Sequence, residues 1–190
     1  LPTTTAQVAA VLRLAAEHRV PVTPRGSGTG LSGACVPTDG GIVVAFEAMN
    51  RVLEIDTENH MAVVQPGVTL EQLNAELAPH GFFYPVSPGE NSASLGGNVA
   101  TNAGGMRAVK YGVTRHHVLG LEAVLPGGEV IRTGGKLVKT SAGYDLTQLI
   151  IGSEGTLAAV TEVTVKLQPK LDHRSTLLVP FATLAEVAHA

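Results

Sequence analysis

The sequence predicts an α+β fold built from two α/β subdomains. A small parallel βα unit is expected over about residues 1–46, and a larger, mainly antiparallel sheet with helices over about 47–170. Two observations predict this arrangement. Near the N-terminus, a helical pattern precedes two short apolar segments separated by a glycine-rich loop. Further along, short apolar segments flank tight turns, which is the pattern of hairpins and argues against a doubly wound sheet.

The first subdomain begins with a helix. Thr4 to Gln7 matches a capping box, and Val8, Val11, Leu12 and Ala15 follow at helical spacing. A short strand is then expected over 20–23, and a second one over 42–46 after the turn at 39–41. Helix and strands in this order predict a parallel pair with the glycine-rich loop at a strand's carboxyl end.

The second subdomain reads as hairpins with inserted helices. We expect hairpin strands at 52–56 and 61–64, a helix opening at Thr69, and a further hairpin over 118–125 and 129–132. Residues 118–125 are apolar on both faces, which predicts a central strand. Val163, Val165 and Leu167 alternate with polar residues, which predicts an antiparallel strand with one wet face.

Composition excludes several classes of protein. The 190 residues are 44% hydrophobic and 15% charged, which argues against disorder. The formal net charge of −3 gives no signature of a nucleic-acid binder. One cysteine, Cys35, excludes a disulfide framework and any cysteine-rich metal or iron–sulfur site. No apolar run approaches the ~18 residues of a membrane span. Glycine is the outlier, with 22 residues, about 12% against a typical ~7%.

The two ends of the sequence indicate a piece of a longer protein. The chain begins Leu1-Pro2 without a methionine. From about Asp172 the pattern restarts, with an expected strand over 176–180 and the opening of a helix over 183–189. We therefore expect residues 171–190 to begin a truncated C-terminal cap domain that contacts the substrate.

The loop from Pro24 to Gly33 contains the spacing G-x-G-x-x-G at Gly28, Gly30 and Gly33. A Rossmann site needs a helix that opens directly on these glycines, and Pro37 with the glycine pair at 40–41 prevents one. The nicotinamide-dinucleotide reading therefore fails. Consecutive backbone amides in such a loop can instead form an anion-binding nest, which predicts a phosphate site. A flexible surface turn is the alternative.

Two further segments are rich in small residues. Residues 88–105 include Gly96-Gly97 in an expected first helical turn, which costs about 1 kcal/mol per glycine, and Asn98 and Asn102 four residues apart. Close approach of a flat ligand would explain the missing side chains, and tight helix–sheet packing is the alternative. Residues 152–157 precede a strand that carries Val160.

In this order, the segments 24–33, 92–105, 110–112 and 152–161 resemble the FAD-binding domain of the vanillyl-alcohol-oxidase-type (PCMH-type) FAD-linked oxidases. The resemblance is closest to the glycolate oxidase GlcD-like and D-lactate dehydrogenase-like group. It implies an FAD-binding domain over 1–170 of an enzyme that oxidises a D-2-hydroxy acid by hydride transfer to flavin N5. A non-catalytic flavin- or nucleotide-binding module, or another flavoenzyme of the superfamily, remains the alternative.

The resemblance also implies which residues bind FAD. The pyrophosphate would lie on the amides of the glycine-rich loop, with its neighbours close by: Arg25, Gly26, Ser27, Gly28, Thr29, Gly30, Gly33 and Ala34. The isoalloxazine and ribityl side would be lined by Ser94, Gly97, Asn98, Thr101, Asn102 and Gly104. The third segment would contribute a wall made of Glu154, Gly155 and Val160.

Some members of this superfamily bond FAD covalently through a histidine in the glycine-rich loop. Thr29 stands at that position here, which predicts non-covalent FAD. The family's catalytic groups and its His/Glu metal site belong to the cap domain, so we expect no catalytic or metal-binding residue in this chain and no turnover by it alone. The resemblance leaves the electron acceptor and any partner subunit open. It suggests a cytoplasmic location, with peripheral attachment to the inner membrane through partner subunits as one option.

Three other groups were weighed as candidate catalytic residues. His116 and His117 are adjacent before a strand, where neighbouring side chains point to opposite faces and cannot easily share a ligand. Glu122 lies on a strand that looks buried, where a satisfied structural role is favoured over a general base. Tyr111 could approach the flavin, with its role left open.

Overall fold

The structure is a computed structural model that describes residues 1–171, 173 and 175–189. It confirms the mixed fold. A parallel pair of strands stands beside a larger antiparallel sheet of five strands. The division of the chain into a domain of residues 1–170 and the start of a further domain stays a prediction.

The N-terminal part contains α1 (Thr5–His18), β1 (Val22–Arg25) and β2 (Ile42–Ala45). Thr4 is the N-cap of α1, because its hydroxyl accepts a hydrogen bond from Gln7 N at 3.3 Å. The strands β1 and β2 pair in parallel, as predicted. One face of α1 is buried against β2 and the larger sheet, which holds the glycine-rich loop at the carboxyl end of β1.

The larger sheet has the strand order β3-β4-β8-β6-β7, and every pairing in it is antiparallel. Helices and the short strand β5 are inserted between its strands, and β5 pairs with β9, which follows β8. The elements in chain order are β3 (Val52–Asp56), β4 (Met61–Val64), α2 (Leu70–Leu77), β5 (Phe82–Phe83), α3 (Leu95–Thr101), α4 (Ala108–Tyr111), β6 (Val118–Val124), β7 (Val130–Gly134), α5 (Leu146–Ile150), β8 (Ala159–Lys166), β9 (Gln168–Pro169) and α6 (Leu184–His189). Both predicted hairpins are confirmed.

The strand that carries Val163 and Val165 is antiparallel, as predicted, but its wet face is only partly confirmed. In β8, Glu162 and Lys166 are half-buried, whereas Thr164 is buried. The reason for the burial of Thr164 is non-local: β8 is the middle strand of the sheet, paired with β4 and β6, and both α1 and α3 pack against it.

The predicted strand over 176–180 is wrong, because these residues form no strand and Leu177 and Leu178 are exposed. A strand needs a partner for its backbone groups, and this segment pairs with no described element. The helix expected over 183–189 is confirmed as α6. Asp172, where the pattern was expected to restart, lies outside the described residues.

Glu122 on β6 has the structural role that the sequence favoured. Its carboxylate accepts hydrogen bonds from Thr5 Oγ1 at 2.6 Å and Thr161 Oγ1 at 3.0 Å, and it pairs with Arg132 at 2.5 Å. Burial by itself raises the pKa of Glu122, but the hydrogen bonds and the arginine charge outweigh burial and lower it. This carboxylate therefore connects the start of α1 to the sheet.

Candidate functional site

A cleft of about 870 Å³ opens between the glycine-rich loop, the segment around α3 and the turn before β8. Its volume lies towards the upper end of the ~300–1,000 Å³ range of ligand pockets. Sixteen of the seventeen residues predicted to bind the cofactor line this cleft, and Gly33 is the exception. Three segments that are far apart in sequence thus meet around one cavity.

The glycine-rich loop lies directly on the N-terminus of α3. Ser94 Oγ accepts hydrogen bonds from Ser27 N at 3.1 Å and from Gly97 N at 3.3 Å, so one hydroxyl caps the helix and anchors the loop. A Cβ atom at Gly26 would overlap Ser94 Oγ. Glycine is therefore required at position 26 for the loop to approach the helix this closely.

The short helix α3 forms the floor of the cleft. Asn98 is buried, and its Nδ2 atom has no hydrogen-bond partner among the described residues. Asn102 is the C-cap of this helix at φ +50°, its backbone N–H donates to Asn98 O, and both asparagines line the cleft. The Asn102 side chain accepts a hydrogen bond from Arg115 N at 3.0 Å.

The third wall is the turn before β8, which is hydrogen-bonded to α3. Gly152 N donates to Val99 O at 2.9 Å, and Glu154 N donates to Ala100 O at 2.8 Å. Glu154 has φ +52°, which is uncommon for a residue with a side chain. Gly155 follows at φ +77°, and a Cβ atom there would overlap the ring of Pro24.

Three charged residues line the described part of the cleft, namely Arg25, Glu90 and Glu154. Arg25 is paired with Glu47 at 2.6 Å, so its charge is already compensated within the protein. Glu90 accepts hydrogen bonds from the hydroxyl and the backbone N–H of Ser92, which lower the pKa of Glu90. The cleft is therefore acidic in its side chains and offers backbone N–H groups to an anion.

Several lining residues were missed from the sequence. Phe46 and Pro66 contribute apolar walls, and Ser32, Glu90 and Ser153 contribute polar groups. Phe46 and Pro66 follow β2 and β4 respectively, where nothing local distinguishes a cleft residue from any other residue at a strand end. For Ser32, Glu90 and Ser153 a signal exists in the sequence, because each belongs to one of the three segments rich in glycine or small residues.

The histidine pair and Tyr111 lie outside the cleft lining. His116 Nδ1 accepts a hydrogen bond from Val113 N at 3.0 Å, whereas His117 is buried with Nε2 at 2.8 Å from Tyr111 O. Burial lowers the pKa of His117. Tyr111 packs edge-on against Phe83, with ring centroids 5.8 Å apart. The two histidines thus interact with different backbone groups.

A parallel strand pair with a glycine-rich loop, set beside an antiparallel sheet and enclosing such a cleft, defines a cofactor-binding domain of mixed α/β type. Comparison with known families identifies the cofactor. The family described as FAD binding domain matches residues 1–134, and the chain belongs to it.

The relatives are FAD-linked oxidoreductases. The chain is 64% identical to an uncharacterized FAD-linked oxidoreductase of Mycobacterium tuberculosis, covering 100% of this chain and 41% of that protein. It is 52% identical to glycolate oxidase subunit GlcD of Bacillus subtilis, covering 98% of this chain and 40% of that protein. It is 48% identical to D-lactate dehydrogenase of Archaeoglobus fulgidus, covering 97% of this chain and 42% of that protein. The chain thus spans about two-fifths of the length of these relatives.

Solved structures support the fold. Alkyldihydroxyacetonephosphate synthase superposes with a TM-score of 0.76 at 28% sequence identity, covering 88% of this chain and 33% of that one. FAD is therefore the cofactor, and the cleft fits it in volume and in chemistry. The unpartnered amide nitrogen of buried Asn98 is consistent with a group that completes this wall. Among the described residues, no helix is long and apolar enough to span a bilayer.

Proposed function

We propose that this chain is the FAD-binding part of a flavin-dependent oxidoreductase that oxidises a 2-hydroxy acid, either the achiral glycolate or a D-2-hydroxy acid such as D-lactate. The observation that carries the proposal is the convergence of three small-residue segments on one cleft of about 870 Å³. The substrate class is supported by relatives named glycolate oxidase subunit, D-lactate dehydrogenase and D-2-hydroxyglutarate dehydrogenase.

In this proposal the chain binds and orients the cofactor. The amides of Gly26, Gly28, Thr29 and Gly30 hold the pyrophosphate, because N–H groups of a glycine-rich loop can converge on an anion. The Ser27 N–H instead donates to Ser94 Oγ and anchors the loop. Gly97, Asn98, Thr101 and Gly104 form the surface for the isoalloxazine and ribityl groups, and the turn at 154–155 with Val160 closes the opposite wall. Bound FAD would supply a two-electron acceptor for the hydride of the substrate α-carbon.

The groups that recognise the hydroxy acid belong to the remainder of a longer protein in this proposal. The length of the relatives supports this, since the chain covers about two-fifths of each. We further propose that residues 171–190 begin that remainder and that the chain alone does not turn over. A relative named as a subunit supports association with a partner subunit.

The FAD is bound without a covalent link in this proposal. Thr29 stands in the glycine-rich loop where a covalent flavin would need a histidine, and residues 26–33 contain none. Acid precipitation of the yellow protein tests this point. A colourless pellet with FAD in the supernatant is expected, and yellow colour that stays in the pellet contradicts it.

The function is tested in two stages. The purified chain is reconstituted with FAD, desalted and examined by visible spectroscopy, with one FAD per chain expected. The full-length protein is then mixed anaerobically with glycolate, D-lactate or D-2-hydroxyglutarate, and L-lactate serves as the matched control. Bleaching of the flavin by glycolate or a D-2-hydroxy acid and not by L-lactate supports the proposal.

Two outcomes contradict different parts of it. Absence of flavin bands after reconstitution removes the FAD site itself. If one FAD binds per chain but none of the three acids reduces it, the proposed substrate class is contradicted. That result favours a non-catalytic flavin-binding module or another flavoenzyme chemistry.

A further inference from the structure

The side-chain charge of the cleft has the sign opposite to that expected for a site that holds a pyrophosphate. Phosphate sites commonly use Arg or Lys side chains. Here the charged lining of the described cleft is one arginine and two glutamates, and Arg25 is already paired with Glu47 at 2.6 Å. The whole chain carries a formal net charge of −3 and adds no attraction at long range.

The first carboxylate, Glu90, is held in place at the rim of the cleft. Ser92 donates two hydrogen bonds to Glu90 Oε1, one from its backbone N at 3.1 Å and one from its hydroxyl at 2.8 Å. Both donors favour the ionised form, and they lower the pKa of Glu90. Glu90 therefore presents a negative charge at neutral pH from a restricted position.

The second carboxylate, Glu154, is placed by its backbone. Its φ of +52° is uncommon for a residue other than glycine, and its N–H donates to Ala100 O at 2.8 Å on the floor of the cleft. Its Oε1 atom accepts a hydrogen bond from Ser32 Oγ at 3.4 Å, which joins it to the glycine-rich loop. The carboxylate thus lies beside the loop that is expected to hold the phosphates.

We propose that Glu90 and Glu154 make this cleft a charge-selective nucleotide site: neutral backbone N–H groups hold the pyrophosphate dianion of FAD, while the two carboxylates reject nucleotides of higher negative charge. This inference rests on the proposed FAD site and adds its selectivity. Repulsion between like charges grows with the ligand's charge, so a tetraanion such as ATP is penalised about twice as strongly as a dianion. Rejection of the wrong ligand by an unpaired like charge is a recognised route to specificity.

The inference predicts an unusual dependence on salt. Where cationic side chains hold a phosphate, added salt screens the attraction and weakens binding. In this cleft, salt screens the repulsion between the two carboxylates and the phosphates of the ligand. The affinity for FAD should therefore stay constant or rise between about 20 and about 500 mM NaCl.

The test measures FAD binding to the apoprotein by quenching of flavin fluorescence, with ADP and ATP as competitors. Glu90→Gln and Glu154→Gln keep an acceptor oxygen for Ser92 and Ser32 and remove the charge. Each variant should bind FAD about two- to threefold more tightly at about 20 mM NaCl, and the double variant should reduce the preference for ADP over ATP by about two- to threefold, because these two competitors differ by one charge. Both effects should shrink at about 500 mM NaCl.

The matched control is Glu58→Gln, which removes an exposed carboxylate in the turn between β3 and β4, outside the cleft lining. It changes the net charge equally and should leave FAD affinity unchanged. Three results overturn the inference while leaving the FAD site intact: an affinity that falls steeply with salt, weaker FAD binding in either cleft variant, or an equal gain in the control. Failure of all variants and the wild type to bind FAD removes the proposed site itself.

Discussion

The contact between Gly26 and Ser94 allows a quantitative test of how the cleft is assembled. The perturbation is Gly26→Ala. The new Cβ atom would overlap Ser94 Oγ, whereas its next neighbour, Gly97 N, would lie at 3.4 Å, an ordinary contact. The hydroxyl of Ser94 is therefore the principal obstacle, and it must leave its position for the alanine to fit.

The cost follows from the hydrogen bonds that this hydroxyl makes. Ser94 Oγ accepts from Gly97 N at 3.3 Å as the N-cap of α3 and from Ser27 N at 3.1 Å in the loop. Loss of an N-cap costs about 1 kcal/mol, and loss of a second hydrogen bond at a buried site costs about 1 kcal/mol more. Gly26→Ala should therefore lower the free energy of unfolding by about 2 kcal/mol.

The mechanism predicts strong coupling in a double-mutant cycle. Ser94→Ala removes the same two hydrogen bonds and should cost about 2 kcal/mol. Once the hydroxyl is gone, Gly26→Ala has little left to disturb, so the double variant should also lose about 2 kcal/mol instead of about 4 kcal/mol. The measurement is urea unfolding followed by circular dichroism, on the apoprotein and with saturating FAD.

Thr4→Ala is the matched control. Thr4 caps α1 through a hydrogen bond from Gln7 N at 3.3 Å, on a different helix from the one that Ser94 caps. Loss of this N-cap should lower the free energy of unfolding by about 1 kcal/mol, and this decrease should add to the one caused by Gly26→Ala. Additive losses for Gly26→Ala and Ser94→Ala, or a Gly26→Ala variant as stable as the wild type, would refute the reasoning.

Three further predictions concern backbone geometry and charge. Gly155→Ala, at φ +77°, should lower the free energy of unfolding by about 1–3 kcal/mol, whereas Gly30→Ala, with no atom within 4 Å, should leave thermal stability unchanged and weaken FAD binding. The side-chain hydrogen bond from Asn59 holds the pKa of Asp56 at about 2, so Asn59→Ala should raise the NMR titration midpoint of that carboxyl towards 3.8, and an unchanged midpoint contradicts this. Burial raises the pKa of Glu122, but hydrogen bonds lower it overall, below 4.5. The ionised carboxylate therefore stabilises the fold above that pH, and this stabilisation is lost as pH falls through the folded pKa. Glu122→Gln should flatten the pH dependence of the free energy of unfolding in this range, measured by urea unfolding.

The elements that could be predicted from the sequence are those specified by local interactions. Thr4 and the apolar spacing after it determine α1, and the two short strands around 57–60 close as a hairpin. The burial of Thr164 could not be predicted, because it depends on β8 lying between two strands that are distant in sequence. The expected strand over 176–180 was wrong for the same reason: strand propensity without a partner forms no ladder.

The site shows the same division. Three local motifs carry the family resemblance, and the resemblance implied sixteen of the residues that line one cleft. The compensation of Arg25 by Glu47 is invisible in the sequence, since the two residues meet only when β1 and β2 pair. Glu90 also went unnoticed, because a lone glutamate in a polar segment is usually a solvated residue.

The hydrogen bonds around α3 explain why small residues concentrate there. A helix of seven residues is too short to be stable alone, so its neighbours must hold it. Ser94 Oγ accepts a hydrogen bond from the glycine-rich loop at one end of the helix, and Val99 O and Ala100 O accept hydrogen bonds from the turn at 152–154 at the other end. At Gly26 a side chain would strike protein atoms, so the missing Cβ serves the assembly of the walls before any cofactor arrives. Because hydrogen bonds within the chain join all three walls, FAD should bind to a cleft that is already formed. The affinity for FAD should therefore depend strongly on Ser94, which joins two of these walls.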